Sequence, residues 1–384
     1  MFDIARLMCF GARFAARYLP PTISFRKTMF VFRWGDVADV LARDGDFRIA
    51  PINGQRIEAV MGPFILGMDR SEALFAQRMA VYESMFGSDF APIRDILENE
   101  PTEFLTAAAA RDGKIDVVNG YARKVAGHVA AALFGIRGPS EADLLRVARA
   151  VFHETFLNLG GDEKVRNTGI AAGQELKSWI AAERAARLKK NELGRDVLGC
   201  LLERERDGVL SEAEVSHVLA GLLVGSIDTT ATAVSNIVVE ILSDWALAEN
   251  MRRDLDDQRR LYGWCWEALR RRPHNPVLLR EAVEGAKIAG EPVAAGTRVF
   301  AVTLSAMQDE RVFDHPEALD PDRPPHLYMH FGRGMHQCAG RDVNVLQIPA
   351  LIAALMRFNP SGRVRVKNAG PFPDQFFVRI RSPQ

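Results

Sequence analysis

The chain has 384 residues, enough for one large domain or two modest ones. Its 49 basic and 49 acidic residues cancel, which removes the electrostatic case for nucleic acid as a partner, and 48% hydrophobic residues supply ample core. Four cysteines, Cys9, Cys200, Cys265 and Cys338, lack paired spacing, so no disulfide framework is expected and a reducing cytoplasm fits.

The opening stretch, MFDIARLMCFGARFAARYLPP, is amphipathic and interrupted by Arg6, Arg13 and Arg17. A packed first helix is expected rather than one lying on a membrane surface. No run approaches the roughly 18–20 apolar residues of a spanning helix. Ile23–Arg26 and Met29–Arg33 read as paired strands, Asp36–Ala42 as a helix and Phe47–Ile49 as a strand. Pro51–Met68 has no clear period and mixes glycines with Ile57, Val60, Met61, Phe64 and Ile65, as an apolar lid or a poorly ordered loop would. Helical spacing returns over Asp69–Phe86, Gly120–Phe134, Glu141–Leu157 and Glu163–Lys190, with a break at Asn158–Asp162.

Ser211 and Glu214 form an S-x-x-E capping box that opens the longest apolar helix, running to Ile241. At about 1.5 Å per residue such a helix crosses a whole domain. Its middle reads Gly225-Ser226-Ile227-Asp228-Thr229-Thr230. Polar residues in a buried helix are costly unless paired or functional. Tyr262–Arg272 is a helix containing Glu267-Ala268-Leu269-Arg270, ended by Pro273 and Pro276; Val277–Arg280 reads as a strand. An irregular stretch then leads to Phe331–Gly340, FGRGMHQCAG. Its glycines allow a tight turn and a close approach, and Cys338 stands just before a helix start, where a thiolate faces backbone N–H groups. His336 and Cys338 have no second Cys or His pair at zinc spacing. Val343–Phe358 is a helical pattern containing Pro349, which should kink it, and the tail reads as a closing hairpin over Arg363–Lys367 and Gln375–Arg381.

FGRGMHQCAG resembles the haem-binding signature of the cytochrome P-450 family of haem-thiolate monooxygenases, F-G-x-G-x-H-x-C-x-G, at all six fixed positions: Phe331, Gly332, Gly334, His336, Cys338 and Gly340. The resemblance extends from Ile23 to Arg381. It implies a mainly α fold with small β-sheets, with haem b between the long central helix and the helix after the Cys338 loop. It also implies a single domain over residues 1–384: a β-rich part at about 20–70, a helical part at about 70–275 and the haem loop at 331–340. The absence of a spanning N-terminal helix is similar to soluble, bacterial-type, cytoplasmic members.

The same resemblance assigns roles. Cys338 would be the iron ligand. His336, Phe331, Gly332 and Gly340 would shape the haem loop. Asp228 and Thr229 match the oxygen-activation motif A-G-x-[DE]-T-[TS], in which Gly225 stands for Ala and Ser226 for Gly; the acid and the hydroxyl would deliver protons. Glu267 and Arg270 match a structural E-x-x-R pair, with Arg323 as third member. Arg280 would bind a propionate, and Arg78 is the remaining candidate near a missing histidine. Met61, Phe64, Val224, Leu278 and Phe372 are pocket candidates. Asn344 and Gln347 depart from the Ala and Glu that the family favours.

The implied function is a monooxygenase that inserts one atom of dioxygen into an apolar small molecule by hydroxylation or epoxidation, of the kind used in secondary metabolism. No flavin or nicotinamide fingerprint is present, so electrons would come from a separate ferredoxin or flavodoxin-type donor with its reductase, docking near Arg333 and Arg341. The alternatives are a peroxide-using peroxygenase or isomerase, and a catalytically silent haem-thiolate protein.

Overall fold

The computed structural model describes residues 4–383, with side chains from Cys9 onward. The chain begins with α1 (Ile4–Tyr18), β1 (Thr22–Phe25), β2 (Thr28–Val31), α2 (Trp34–Ala42) and β3 (Phe47–Arg48). Next come α3 (Gln55–Val60), α4 (Glu72–Gly87), α5 (Ala91–Arg111), β4 (Lys114–Asp116), α6 (Arg123–Phe134), α7 (Glu141–Phe152), α8 (Glu163–Lys190) and α9 (Val197–Arg206). The long helix is α10 (Glu212–Ser243), followed by α11 (Trp245–Arg253), α12 (Gln258–Arg271), β5 (Leu278–Ala282), β6 (Lys287–Ile288), β7 (Glu291–Pro292), β8 (Arg298–Ala301) and α13 (Thr303–Ala306). After the loop at 331–340 come α14 (Arg341–Arg357), β9 (Val366–Ala369) and β10 (Phe372–Arg379).

Two compact units emerge. One comprises residues 1–52 and 236–338, the other residues 53–235 and 339–384. The first is built on a five-stranded sheet in the order β1-β2-β8-β5-β3, antiparallel except where β2 runs parallel to β8. In it α1 is a packed helix, as expected: Ala12, Ala15 and Ala16 are buried, and the Ser305 hydroxyl donates to the Ala12 carbonyl at 2.9 Å. Arg13 and Arg17 pair with Glu317 and Glu310 at 3.5 and 3.1 Å.

The second unit is helical, with the small sheet β4-β10-β9. Its helix ends follow local chemistry. Asp162 caps α8 by accepting from the N–H groups of Lys164 and Val165, and the last turn carries Arg187, Lys189 and Lys190. The capping box of α10 is reciprocal: Ser211 Oγ accepts from the Glu214 N–H, while Glu214 Oε2 accepts from the Ser211 N–H at 2.8 Å.

Three expectations change. The segment 51–68 is not an unordered loop: it forms a π-turn at Ala50–Gly54, the helix α3 and a 3-10 turn at Ile65–Gly67. It is packed tightly, since a Cβ at Gly173 of α8 would lie 2.1 Å from the Val60 carbonyl and one at Gly62 would lie 2.2 Å from the His217 ring of α10. The helix expected from Gly120 begins at Arg123, because Val117–Ala122 is a π-turn capped by Asp116 on the Val118 N–H. Finally, α10 is long and apolar enough to cross a bilayer by length and composition, against the expectation of no such stretch; 78% of its most apolar window is buried in the protein, as in a core helix.

Candidate functional site

In the first unit the loop before α14 presents one thiol. Cys338 is exposed, whereas Cys9, Cys200 and Cys265 are half-buried or buried. Two backbone positions make that possible. Gly332 and Gly334 have φ of 67° and 71°, which favours glycine. A Cβ at Gly334 would also stand 2.4 Å from the Leu41 carbonyl, so the loop lies directly on the end of α2. The Cys338 N–H donates to the Phe331 carbonyl at 2.8 Å and closes the turn. Arg333 stacks on the Trp34 ring at 4.6 Å and donates to the His326 carbonyl.

Strand β5 lies beside this loop: a Cβ at Gly332 would come within 3.7 Å of Leu278. Arg280, two residues on, is buried and donates to the Leu279 carbonyl at 2.8 Å. His336 is buried. Cys338, His336, Gly332, Leu278 and Arg280 all belong to this unit.

Helix α12 supports the loop from behind. Phe331 and His330 approach Trp266 at 5.9 Å each, and burial pushes the His330 imidazole down to about 3. One turn away, Glu267 and Arg270 share two hydrogen bonds, and Arg270 also donates to the carbonyls of Met307, Pro316 and Ala318. Arg323 Nε stands 3.4 Å from Glu267. The Tyr328 hydroxyl, which sequence reasoning missed, donates to Glu267 at 2.8 Å. No local spacing links Tyr328 to Glu267.

In the second unit the hydroxyls of the polar stretch of α10 are all engaged. The hydroxyls of Ser226, Thr229 and Thr230 donate back to the carbonyls of Leu223, Gly225 and Ser226. Ser226 thus turns its hydroxyl into its own helix. Thr230 bonds onward to Asn344 at 3.1 Å, and Gln347 donates to Thr230 and Asn344 at 3.0 Å each. The departures at Asn344 and Gln347 therefore build an amide clamp from α14 onto the motif.

Asp228 is buried and lies between two guanidinium groups: Arg149 Nε at 2.7 Å and Arg123 Nε at 3.0 Å. Burial lowers the Arg123 guanidinium against the raising effect of Asp228. Arg149 also reaches Asp374 at 2.9 Å. Arg123, Arg149 and Asp374 carry no sequence signal toward Asp228, being distant in the chain.

The pocket candidates divide. Phe64, Met61 and Val224 are buried, and Phe64 lies over α10, where a Cβ at Gly221 would be 2.6 Å from its ring. Phe372 stands edge-on to Phe152 at 5.1 Å and lines a small cavity with Asp228. Arg78 lies on its own helix, stacked on Tyr82 at 4.6 Å and donating to its hydroxyl. Gly225 has open space where a side chain would start.

The residues present fit an iron porphyrin. Cys338, an exposed thiol just before α14, would supply the protein's ligand to a haem iron. Among the described residues, no group of three or more His, Cys, Asp or Glu could hold a bare metal ion.

The chain is 27% identical over 352 residues to mycinamicin IV hydroxylase/epoxidase of Micromonospora griseorubida, covering 88% of this chain and 83% of that one. It is 32% identical over 173 residues to YjiB of Bacillus subtilis, a protein described by a cytochrome P450 name, and spans only 43% of that protein's length. The fold matches the crystal structure of CalO2 with a TM-score of 0.85 at 22% identity, over 100% of this chain and 98% of that one. The family model for cytochrome P450 matches residues 162–362, just over half of the chain. The chain belongs to the cytochrome P450 family, whose members bind haem b.

Proposed function

We propose that this protein is a haem-thiolate monooxygenase, working as one domain, that inserts one atom of dioxygen into an apolar small molecule. The observation that carries the reading is the exposed Cys338 thiol on a loop held by left-handed Gly332 and Gly334. Cys338 is the iron ligand, and its position before α14 favours the thiolate. Bound haem supplies the redox chemistry by which dioxygen is activated.

The chain's own residues supply the rest. Arg280 neutralises a haem propionate, with Arg78 as a second candidate. His336, Phe331, Gly332 and Gly340 set the loop against the porphyrin, and Gly225 leaves room beside α10. Asp228 and Thr229 hold and pass protons. Met61, Phe64, Val224, Leu278 and Phe372 exclude water and select an apolar substrate. Hydroxylation and epoxidation, the reactions in the name of the Micromonospora relative, are the ones proposed. Electrons come from a separate ferredoxin or flavodoxin-type donor, and the protein works in the cytoplasm.

The test is the carbon monoxide difference spectrum of the reduced protein beside Cys338→Ala. A strongly red-shifted Soret band that vanishes in the variant supports the reading. A protein without haem, or a band indifferent to the substitution, sinks it. Product formed with peroxide and none with an electron donor would replace the monooxygenase by a peroxygenase.

A further inference from the structure

The β9–β10 hairpin carries an irregularity at one residue. Phe372 pairs with Ala369 and Pro373 with Asn368, but Gln375 pairs with Lys367, so Asp374 is an extra residue in β10. A bulge re-aims a side chain and is a designed feature more often than a defect. Here the re-aimed carboxylate accepts from Arg149 Nη1 at 2.9 Å, while Nε of the same guanidinium donates to Asp228 at 2.7 Å. The bulge is held by the Asn119 amide, which donates to the Asp374 carbonyl at 2.7 Å, and Lys367 Nζ stands 3.7 Å from the carboxylate.

Asp228 and the bridging Arg149 meet one small space. Asp228, Arg149, His153, Phe152 and Phe372 line a cavity of about 10 Å³, room for about one water molecule. Asp228 Oδ2 is buried and takes no hydrogen bond. A guanidinium shared between two carboxylates holds each less firmly than one it serves alone.

We propose that Asp374 is a positioning residue that couples the β9–β10 hairpin to Asp228 through Arg149. This rests on the reading of Asp228 as the proton-delivering acid. Without Asp374, Arg149 serves Asp228 alone, the carboxylate takes up a proton less readily, and proton delivery slows.

The test uses the haem-loaded full chain with a surrogate ferredoxin and its reductase. It compares Asp374→Asn, Asp374→Glu, Asp228→Asn and the Asp374→Asn/Asp228→Asn double variant. Dioxygen consumption and its solvent deuterium isotope effect are read, with thermal unfolding of the same four proteins. The expected result is a fall of about tenfold in rate with a larger isotope effect for Asp374→Asn. Asp374→Glu recovers the parent rate, Asp374→Asn has no further effect once Asp228 is Asn, and the two substitutions are non-additive in unfolding. A slow Asp228→Asn protein beside an unchanged Asp374→Asn protein overturns the role of Asp374 alone. An Asp228→Asn protein that consumes dioxygen like the parent overturns the reading of the acid, and the role of Asp374 with it. Additive unfolding effects overturn the bridge itself.

Discussion

Glu267 receives the Arg270 guanidinium on both carboxylate oxygens, at 2.8 and 2.9 Å, with neither side chain exposed to solvent. Burial pushes the Glu267 carboxyl up, and the bonds from Arg270, the Asp320 N–H and Tyr328 override it, holding it below its ordinary value. The pair also gathers backbone carbonyls of the irregular stretch that leads to the Cys338 loop. Replacing Glu267 by Gln leaves a buried cation without its counter-charge, a loss of about 3–5 kcal/mol. Chemical denaturation of the haem-loaded protein is expected to show that loss, with haem released earlier than in the parent.

Gly334→Ala is expected to destabilise the Cys338 loop by about 1–3 kcal/mol, because the left-handed backbone is strained for alanine. Its Cβ would also sit 2.4 Å from the Leu41 carbonyl, a backbone atom that cannot step aside. The measurement is the melting temperature together with haem content. A fully loaded variant with the parent's stability would contradict the geometry.

His128 offers a pH test. Burial lowers its imidazole, but Glu100 on one nitrogen and Glu141 on the other, at 2.5 and 2.9 Å, outweigh that and raise it above 6.5. A raised histidine stabilises the fold fully below its unfolded value and loses that contribution as pH rises through the folded one. The melting-temperature gap between the parent and His128→Gln is therefore expected to be widest below about pH 6 and to shrink toward alkaline pH. A gap that grows with pH would refute the assignment.

The amide clamp predicts a cost at Thr230. Thr230→Val keeps the shape but removes the hydroxyl that Gln347 and Asn344 share, leaving buried amide atoms unpaired at about 1–3 kcal/mol. Gln347→Leu in the Thr230→Val background should recover part of that loss, since both partners are then apolar. Urea titration of the four proteins of this cycle measures the coupling.

Several features were legible because their causes are local. The start of α10 follows from Ser211 and Glu214, three residues apart and bonded to each other. The span of α8 follows from its Asp162 cap and its basic last turn. Segment 51–68 was not legible: Gly62 stands against His217 of α10 and Val60 against Gly173 of α8, and nothing in its own periodicity records those neighbours. The spread of apolar residues along α10 also obscured its suitability by length and composition for crossing a bilayer.

The sequence by itself determined the fold class and the family, because the glycine turns and the Cys338 beside them are encoded within ten adjacent positions. The tertiary structure alone decided the setting of Asp228. Its partners Arg123 and Arg149, and Asp374 behind Arg149, lie on three other elements, and an ion pair between residues 79 apart leaves no pattern in the chain. Only packing that excludes water brings such groups together and makes their charges matter to one another.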